Sequence, residues 1–182
     1  MRAALSMLLA ALAGLMVPGP AAAHPPPMVP RERIPAHLPP EIRRHIERLY
    51  SPNDADCTAA ARALGDLGDA AAVEPLLGAL QDPDWHLRWV AAQGLGRLKD
   101  GRAAEPLAAA LKDRHWYVRR AAAEALGALA DRPALLALIG ALEDEHWYVR
   151  ASAVAALRTA TGQDLAPDPK AWRTWLAKNG AG

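Results

Sequence analysis

Three stretches of the chain set a carboxylate, flat rings and a guanidinium in the same order. They are Asp82-Pro-Asp-Trp85-His86-Leu-Arg88, Asp113-Arg-His115-Trp116-Tyr117-Val-Arg119 and Asp144-Glu-His146-Trp147-Tyr148-Val-Arg150. Trp, Tyr and Arg are the side chains that most often dominate interface energy. Trp85, His86, His115, Trp116, Tyr117, His146, Trp147 and Tyr148 are therefore the candidate surface for a protein or peptide partner. Packed helix axes lie about 8–10 Å apart, so equivalent rings should form a ladder on that scale, suited to an extended partner. The competing reading folds each tryptophan over the neighbouring copy to fill space left by small alanines, with Tyr117 and Tyr148 facing water more than the tryptophans.

The same histidines raise metal binding. Zinc–nitrogen bonds of about 2.0–2.1 Å require ligands within roughly 4 Å of one another, whereas His86, His115 and His146 belong to different copies and diverge, so no metal site is assigned. Nucleophilic chemistry has no support either: the chain lacks a Gly-x-Ser-x-Gly elbow and a glycine-rich phosphate loop. No catalytic residue and no cofactor is assigned.

The element that positions these residues is a repeat. Trp85, Arg88 and Leu95 recur 31 residues later as Trp116, Arg119 and Leu126, and again as Trp147, Arg150 and Leu157. So short a unit cannot bury its own apolar face, and copies must stack. Within each copy, Leu87, Ala91, Leu95 and Leu98 mark one helical stripe, and Val73, Leu76, Leu77 and Leu80 mark another. Turn-rich segments between them, such as Gly68-Asp69 and Lys99-Asp100-Gly101, make each copy an antiparallel helical hairpin. Ser51-Pro52 and Asp82-Pro83 read as an N-cap followed by the one helical position that favours proline, and Asp113 and Asp144 keep that cap. Pro75 and Pro106 fall in a first turn, where no hydrogen bond is lost.

The expected architecture is all-α: a superhelix of about four helical hairpins over residues 41–178, with repeats from residue 51. A half repeat, 41–50, supplies an N-terminal capping helix, and 170–178 supplies a C-terminal one through Trp172, Trp175 and Leu176. Residues 1–23 read as a secretory signal peptide, with an apolar run of about 15 residues against the roughly 20 that a membrane span needs. Residues 24–40 form a proline-rich extended arm. The expectation is an exported protein, periplasmic or secreted, without stable membrane insertion once the signal is removed. Loss of Arg2 would balance 20 acidic residues with as many basic ones. Such a chain gains little from counterion release, which argues against nucleic acid as a partner. Cys57 is the only cysteine, so no internal disulfide can form, and it reads as a small buried filler in an atypical first repeat.

With segments such as Asp113-Arg-His-Trp-Tyr-Val-Arg-Arg-Ala-Ala-Ala-Glu-Ala-Leu-Gly127 after an Ala-Ala-Glu-Pro-Leu helix, the chain resembles the HEAT-like repeat family over Leu38 to Lys178. More narrowly, it is similar to the short bacterial form also seen in phycobilisome lyases. That resemblance implies an α-α superhelix in which Asp82, Asp113 and Asp144 work with Arg88, Arg119 and Arg150 to tie adjacent repeats; the first repeat departs from it with Ser51 and Cys57. It also implies that the ring positions are usually small or charged. Family likeness spans adaptors, bilin lyases, DNA glycosylases and an iron-dependent hydroxylase. The hydroxylase type uses His-Glu pairs, and this chain has no His-Glu dipeptide. The lyase type works in the cytoplasm, against the signal peptide. The resulting expectation is a noncatalytic scaffold or adaptor for a protein or peptide, with a bilin-lyase-like enzyme or chaperone, or a metal-handling protein, as alternatives.

Overall fold

The computed structural model describes residue 34 and residues 37–179, so the expected signal segment and most of the proline arm lie outside the described residues. Among the described residues there are nine α-helices and no strand. In chain order they are α1 (Pro40–Arg48), α2 (Asp54–Leu67), α3 (Val73–Ala79), α4 (Trp85–Leu98), α5 (Ala104–Ala110), α6 (Trp116–Leu129), α7 (Arg132–Ala141), α8 (Trp147–Thr161) and α9 (Pro169–Asn179). The long helices α2, α4, α6 and α8 pack in sequence as one layer, and α5, α7 and α9 follow as a second. The result is an α-α solenoid. The closing helix α9 packs on α7, so it fills the second place of the fourth hairpin as well as sealing the end. Trp172 in α9 is buried, and Trp175 meets it edge-on at 6.3 Å. At the other end α1 buries Ile42 and Ile46 against α2, and Ile34 and Leu38 pack on the same core.

The long helices approach one another through residues too small to keep them apart. A Cβ built on Gly65 would lie 2.6 Å from the Cα of Gly94 in the next repeat. On Gly96 it would lie 2.9 Å from Ala125, and on Gly127 2.6 Å from the Ala156 methyl. Leu64, Leu95, Leu126 and Leu157 beside these contacts are buried, so the stack gains hydrophobic cover where the backbones touch.

Helix ends follow local chemistry. α2 stops at Gly68, with φ of 71°, in the left-handed region that glycine enters at low cost. α4 and α6 stop the same way at Lys99 (φ 51°) and Ala130 (φ 57°), where a Cβ makes that conformation less favourable. The N-caps fall two residues later than the sequence suggests. Asn53, Asp84, His115 and His146 hold the cap position, whereas Asp82, Asp113 and Asp144 precede it. Each of these aspartates accepts a hydrogen bond from the backbone N–H two residues on, at 2.8–2.9 Å, closing an Asx turn that feeds the chain into the helix. Both arrangements place an aspartate ahead of a helix, so composition alone does not separate them.

Arginine side chains tie each turn to its neighbour. Arg88 grips Asp113 of the next repeat with Nε and Nη2 at 2.7 and 2.9 Å, and its Nη1 donates to the Asp82 and Pro83 carbonyls of its own turn. Arg119 repeats this with Asp144 at 2.8 and 3.0 Å, adds Glu145, and donates to the Asp113 carbonyl. Burial acts to raise the Asp113 carboxyl, but the hydrogen bonds from Arg88 and from the His115 N–H, with the charge of Arg88, outweigh it and leave it below its ordinary value. In the first repeat Cys57 takes the arginine's place, buried, and its thiol donates to the Ser51 carbonyl at 3.1 Å. Burial, then the charges of Asp82 and Asp54, push that thiol up to about 11.

Gly65→Ala should destabilise the fold by about 1–3 kcal/mol, because the added methyl meets backbone. Gly140→Ala, with nothing within 4 Å of the added methyl in α7, should instead stabilise it by about 0.5–1 kcal/mol, both read by thermal denaturation. Arg119→Met leaves Asp144 buried without its partner and should cost about 3–5 kcal/mol, part of it recovered when Asp144→Asn is added, which removes the charge and keeps the acceptor of the Asx turn. Because Cys57 has a raised pKa in the folded state, its contribution is complete below the unfolded value and is lost as pH climbs toward about 11. Native protein at pH 8 should accordingly react with a thiol reagent only as fast as it opens, and a Cys57→Ala variant should lose less stability between about pH 8.5 and 11.

Candidate functional site

The rim lies at the N-terminal ends of α4, α6 and α8, where a first-turn tryptophan stands three residues before the tie arginine. Residues three apart share a helix face. Trp85 and Arg88 therefore reach together toward the next repeat, and both meet the same short segment there. Arg88 holds the Asp113 carboxylate, and Asp113 Oδ1 fixes the His115 backbone at 2.8 Å. The His115 ring then lies against Trp85, with centroids 4.4 Å apart and planes within 7°. Tyr117 adds a second contact with Trp85 at 5.3 Å.

One repeat later the arrangement recurs. Arg119 takes Asp144, His146 stacks on Trp116 at 4.2 Å and 6°, and Tyr148 lies on the same indole at 5.5 Å and 11°. Each aromatic pair of this kind adds about 0.5–1.5 kcal/mol beyond area burial. A carboxylate and a ring two residues apart are thus clasped by an indole and a guanidinium. Both histidine Nδ1 atoms in these clasps are buried without a hydrogen-bond partner, so the rings act through their faces.

Other rings stand between the equivalent rings of the expected ladder. Rings of neighbouring repeats are in contact, because the histidine that caps each helix occupies the gap between one tryptophan and the next. Trp116 also stacks on Tyr117 at 3.7 Å, which joins the clasps into one column. Packing of Trp85 and Trp116 over the next repeat agrees with the space-filling reading, and both are half-buried. Tyr117, at 38% exposed, and Tyr148, at 41%, do face water. Trp147 exceeds them at 56%, against the expectation that tryptophans hide better, because no further repeat covers it. Arg120 lies over the Tyr148 ring at 5.8 Å, a cation–π contact that steadies it.

His86 stands apart from the two capping histidines. It occupies the tyrosine column, stacks on Trp89 at 5.3 Å, and borders an open depression of about 400 Å³ with Asp54, Thr58 and Arg62. Trp89 was not singled out from the sequence, since its column reads Arg120 and Ala151 in later copies. It also contacts Tyr117 at 6.2 Å and extends the rings toward the first repeat. Among the described residues, no three of His, Cys, Asp and Glu converge to hold a metal ion, and no helix is long and apolar enough to cross a membrane.

Comparison with known proteins places this architecture. No curated protein matches the chain in sequence. Among solved structures, human deoxyhypusine hydroxylase in complex with glycerol superposes with a TM-score of 0.60 and 30% identity, covering 67% of this chain. The chain spans only 44% of that enzyme. The complex of CpcE and CpcF of phycocyanin lyase from Nostoc sp. PCC7120 gives a TM-score of 0.53 and 25% identity, over 81% of this chain and 74% of the other. Both neighbours are enzymes, and their names describe their own activities. The family model for HEAT repeats matches residues 42–115 and 104–169, which spans most of the solenoid and all three copies of the rim. Repeat period, paired helical layers and arginine–aspartate ties agree with that match: the chain belongs to the HEAT repeat family.

Proposed function

We propose that the chain is an exported, noncatalytic scaffold that holds a protein or peptide partner along its aromatic rim. The observation that carries this reading is the column of stacked rings from Trp85 to Tyr148, with Tyr117, Trp147 and Tyr148 presented to solvent. Rings already immobilised by stacking lose little conformational entropy when a partner covers them. They are also backed by buried ion pairs, so the surface is formed before anything binds. Export rests on the charged start, apolar run and small residues of positions 1–23. The balance of acidic and basic groups supports a protein partner over nucleic acid.

A second reading follows from the likeness to the phycocyanin lyase complex: a bilin-lyase-like enzyme or chaperone that takes a tetrapyrrole. It makes a separate demand, since purified protein mixed with a bilin should turn coloured and retain the pigment through gel filtration. A metal-handling role would instead give stoichiometric copper or zinc by elemental analysis of untagged protein.

Crosslinked affinity purification from the cell envelope should recover a partner with the wild-type chain and lose it with a Trp116→Ala, Tyr117→Ala, Trp147→Ala, Tyr148→Ala variant whose circular dichroism matches wild type. Retention of every partner by the folded variant would refute the rim as the binding surface.

A further inference from the structure

The third copy of the clasp has both jaws, and among the described residues neither a carboxylate nor a ring of a following repeat lies between them. Trp147 and Arg150 stand at the same positions of α8 that Trp85 and Arg88 hold in α4, and Trp116 and Arg119 in α6. The anchoring half of the arginine is already set: Arg150 Nη1 donates to the Asp144 and Glu145 carbonyls at 2.9 and 3.0 Å, as Arg88 Nη1 does to Asp82 and Pro83. Its Nε and Nη2, the atoms that hold a carboxylate in the other two copies, make no hydrogen bond among the described residues. Trp147 touches Tyr148 on one side and is 56% exposed; the loop that follows α8 is tied to Arg158 in the last turns of that helix, and α9 packs on α7.

We infer that Trp147 and Arg150 form a docking site for a partner protein that presents an aspartate followed two residues later by histidine or another flat ring. The inference deepens the scaffold reading and rests on it. The occupant's chemistry is read from the filled clasps. A carboxylate takes the fork of the guanidinium in two hydrogen bonds, its own Asx turn fixes the next backbone, and a ring then stacks on the indole at about 4 Å. A tyrosine four residues after the aspartate adds the second stack seen on Trp85 and Trp116.

The chain itself cannot fill the site. Asp113–His115 and Asp144–His146 are held in their own clasps. The remaining Asp-x-His, Asp84–His86, has its ring on Trp89, and Asp82 is buried beneath the first repeat at 4% exposure. Residues 1–36 contain no aspartate. These 182 residues, in this chain or in a second copy, have no free segment of the right kind to offer, so the occupant is assigned to a partner protein.

The test is titration of the full chain with a fluorescent, N-acetylated peptide copying residues 112–129, read by anisotropy. Saturable binding is expected, weakened at least tenfold by Trp147→Ala or Arg150→Gln in the protein, and equally by Asp→Asn or His→Ala at the motif positions of the peptide. Both protein substitutions fall on exposed side chains, and circular dichroism checks that the fold is kept. Absence of saturable binding up to millimolar peptide overturns the proposal, as does binding that survives Arg150→Gln and Trp147→Ala unchanged. Envelope partners separate the two readings. Partners that need Tyr117 but tolerate the Trp147→Ala, Arg150→Gln pair would sink the terminal clasp and leave the rim standing. Partners lost with the Trp147→Ala, Arg150→Gln pair but kept by a Trp116→Ala, Tyr117→Ala variant would do the reverse.

Discussion

The contact on which the molecule depends is the near-touching of consecutive long helices at Gly65 and Gly94, Gly96 and Ala125, and Gly127 and Ala156. Bulkier residues at these points would pry the layer open, and the spacing would then exceed what the rest of each repeat can bridge. A guanidinium has a fixed reach, and Arg88 meets Asp113 at 2.7 Å only because α4 and α6 lie so close. Stacking is just as exacting, since a ring moved from 4.4 Å to twice that distance from its neighbour loses most of its attraction. Small residues in one half of the helix thus permit polar and aromatic recognition in the other half.

The polar ties solve a problem that the architecture creates. Each turn between repeats brings backbone carbonyls and an aspartate into a half-closed crevice, where unpaired polar atoms are costly. Arg88 and Arg119 satisfy a carbonyl and a carboxylate at once. At the N-terminal end, where repeat stacking stops, a thiol replaces the guanidinium and meets the equivalent carbonyl of Ser51. The residue 25 positions on is Asp82, whose counterparts Asp113 and Asp144 take the guanidinium in the other copies; here its charge bears on the Cys57 thiol and helps to raise it.

How much of this could be read beforehand depended on whether the signal was periodic. The apolar stripe of Leu87, Ala91 and Leu95, repeated in later copies, specifies helices, hairpins and stacking with little ambiguity, because only one face recurs. Tie positions stood out as columns, although their pairing came from family likeness. The N-cap lies two residues beyond Asp113, whose side chain suits a cap as well as the Asx turn it forms. In the turn after α4, Lys99 adopts positive φ and Gly101 opens a short 3-10 turn. The interleaving of His115 with Trp85 had no sequence signature, because it depends on how a helix-capping residue in one copy overhangs the next. Trp89 has no periodic signature for the opposite reason: it occurs once, with Arg120 and Ala151 at the equivalent positions.

Every tie across the rim joins residues about one hairpin apart: Arg88 to Asp113 and Arg119 to Asp144 are each 25 positions distant. Closing such short loops carries a modest entropic penalty, and none encloses another. Contact order is therefore low, which favours rapid assembly from any nucleus along the array. Damage should stay correspondingly local: a lesion in one unit loosens its immediate neighbours while distant ones remain intact, so unfolding proceeds by fraying from a terminus.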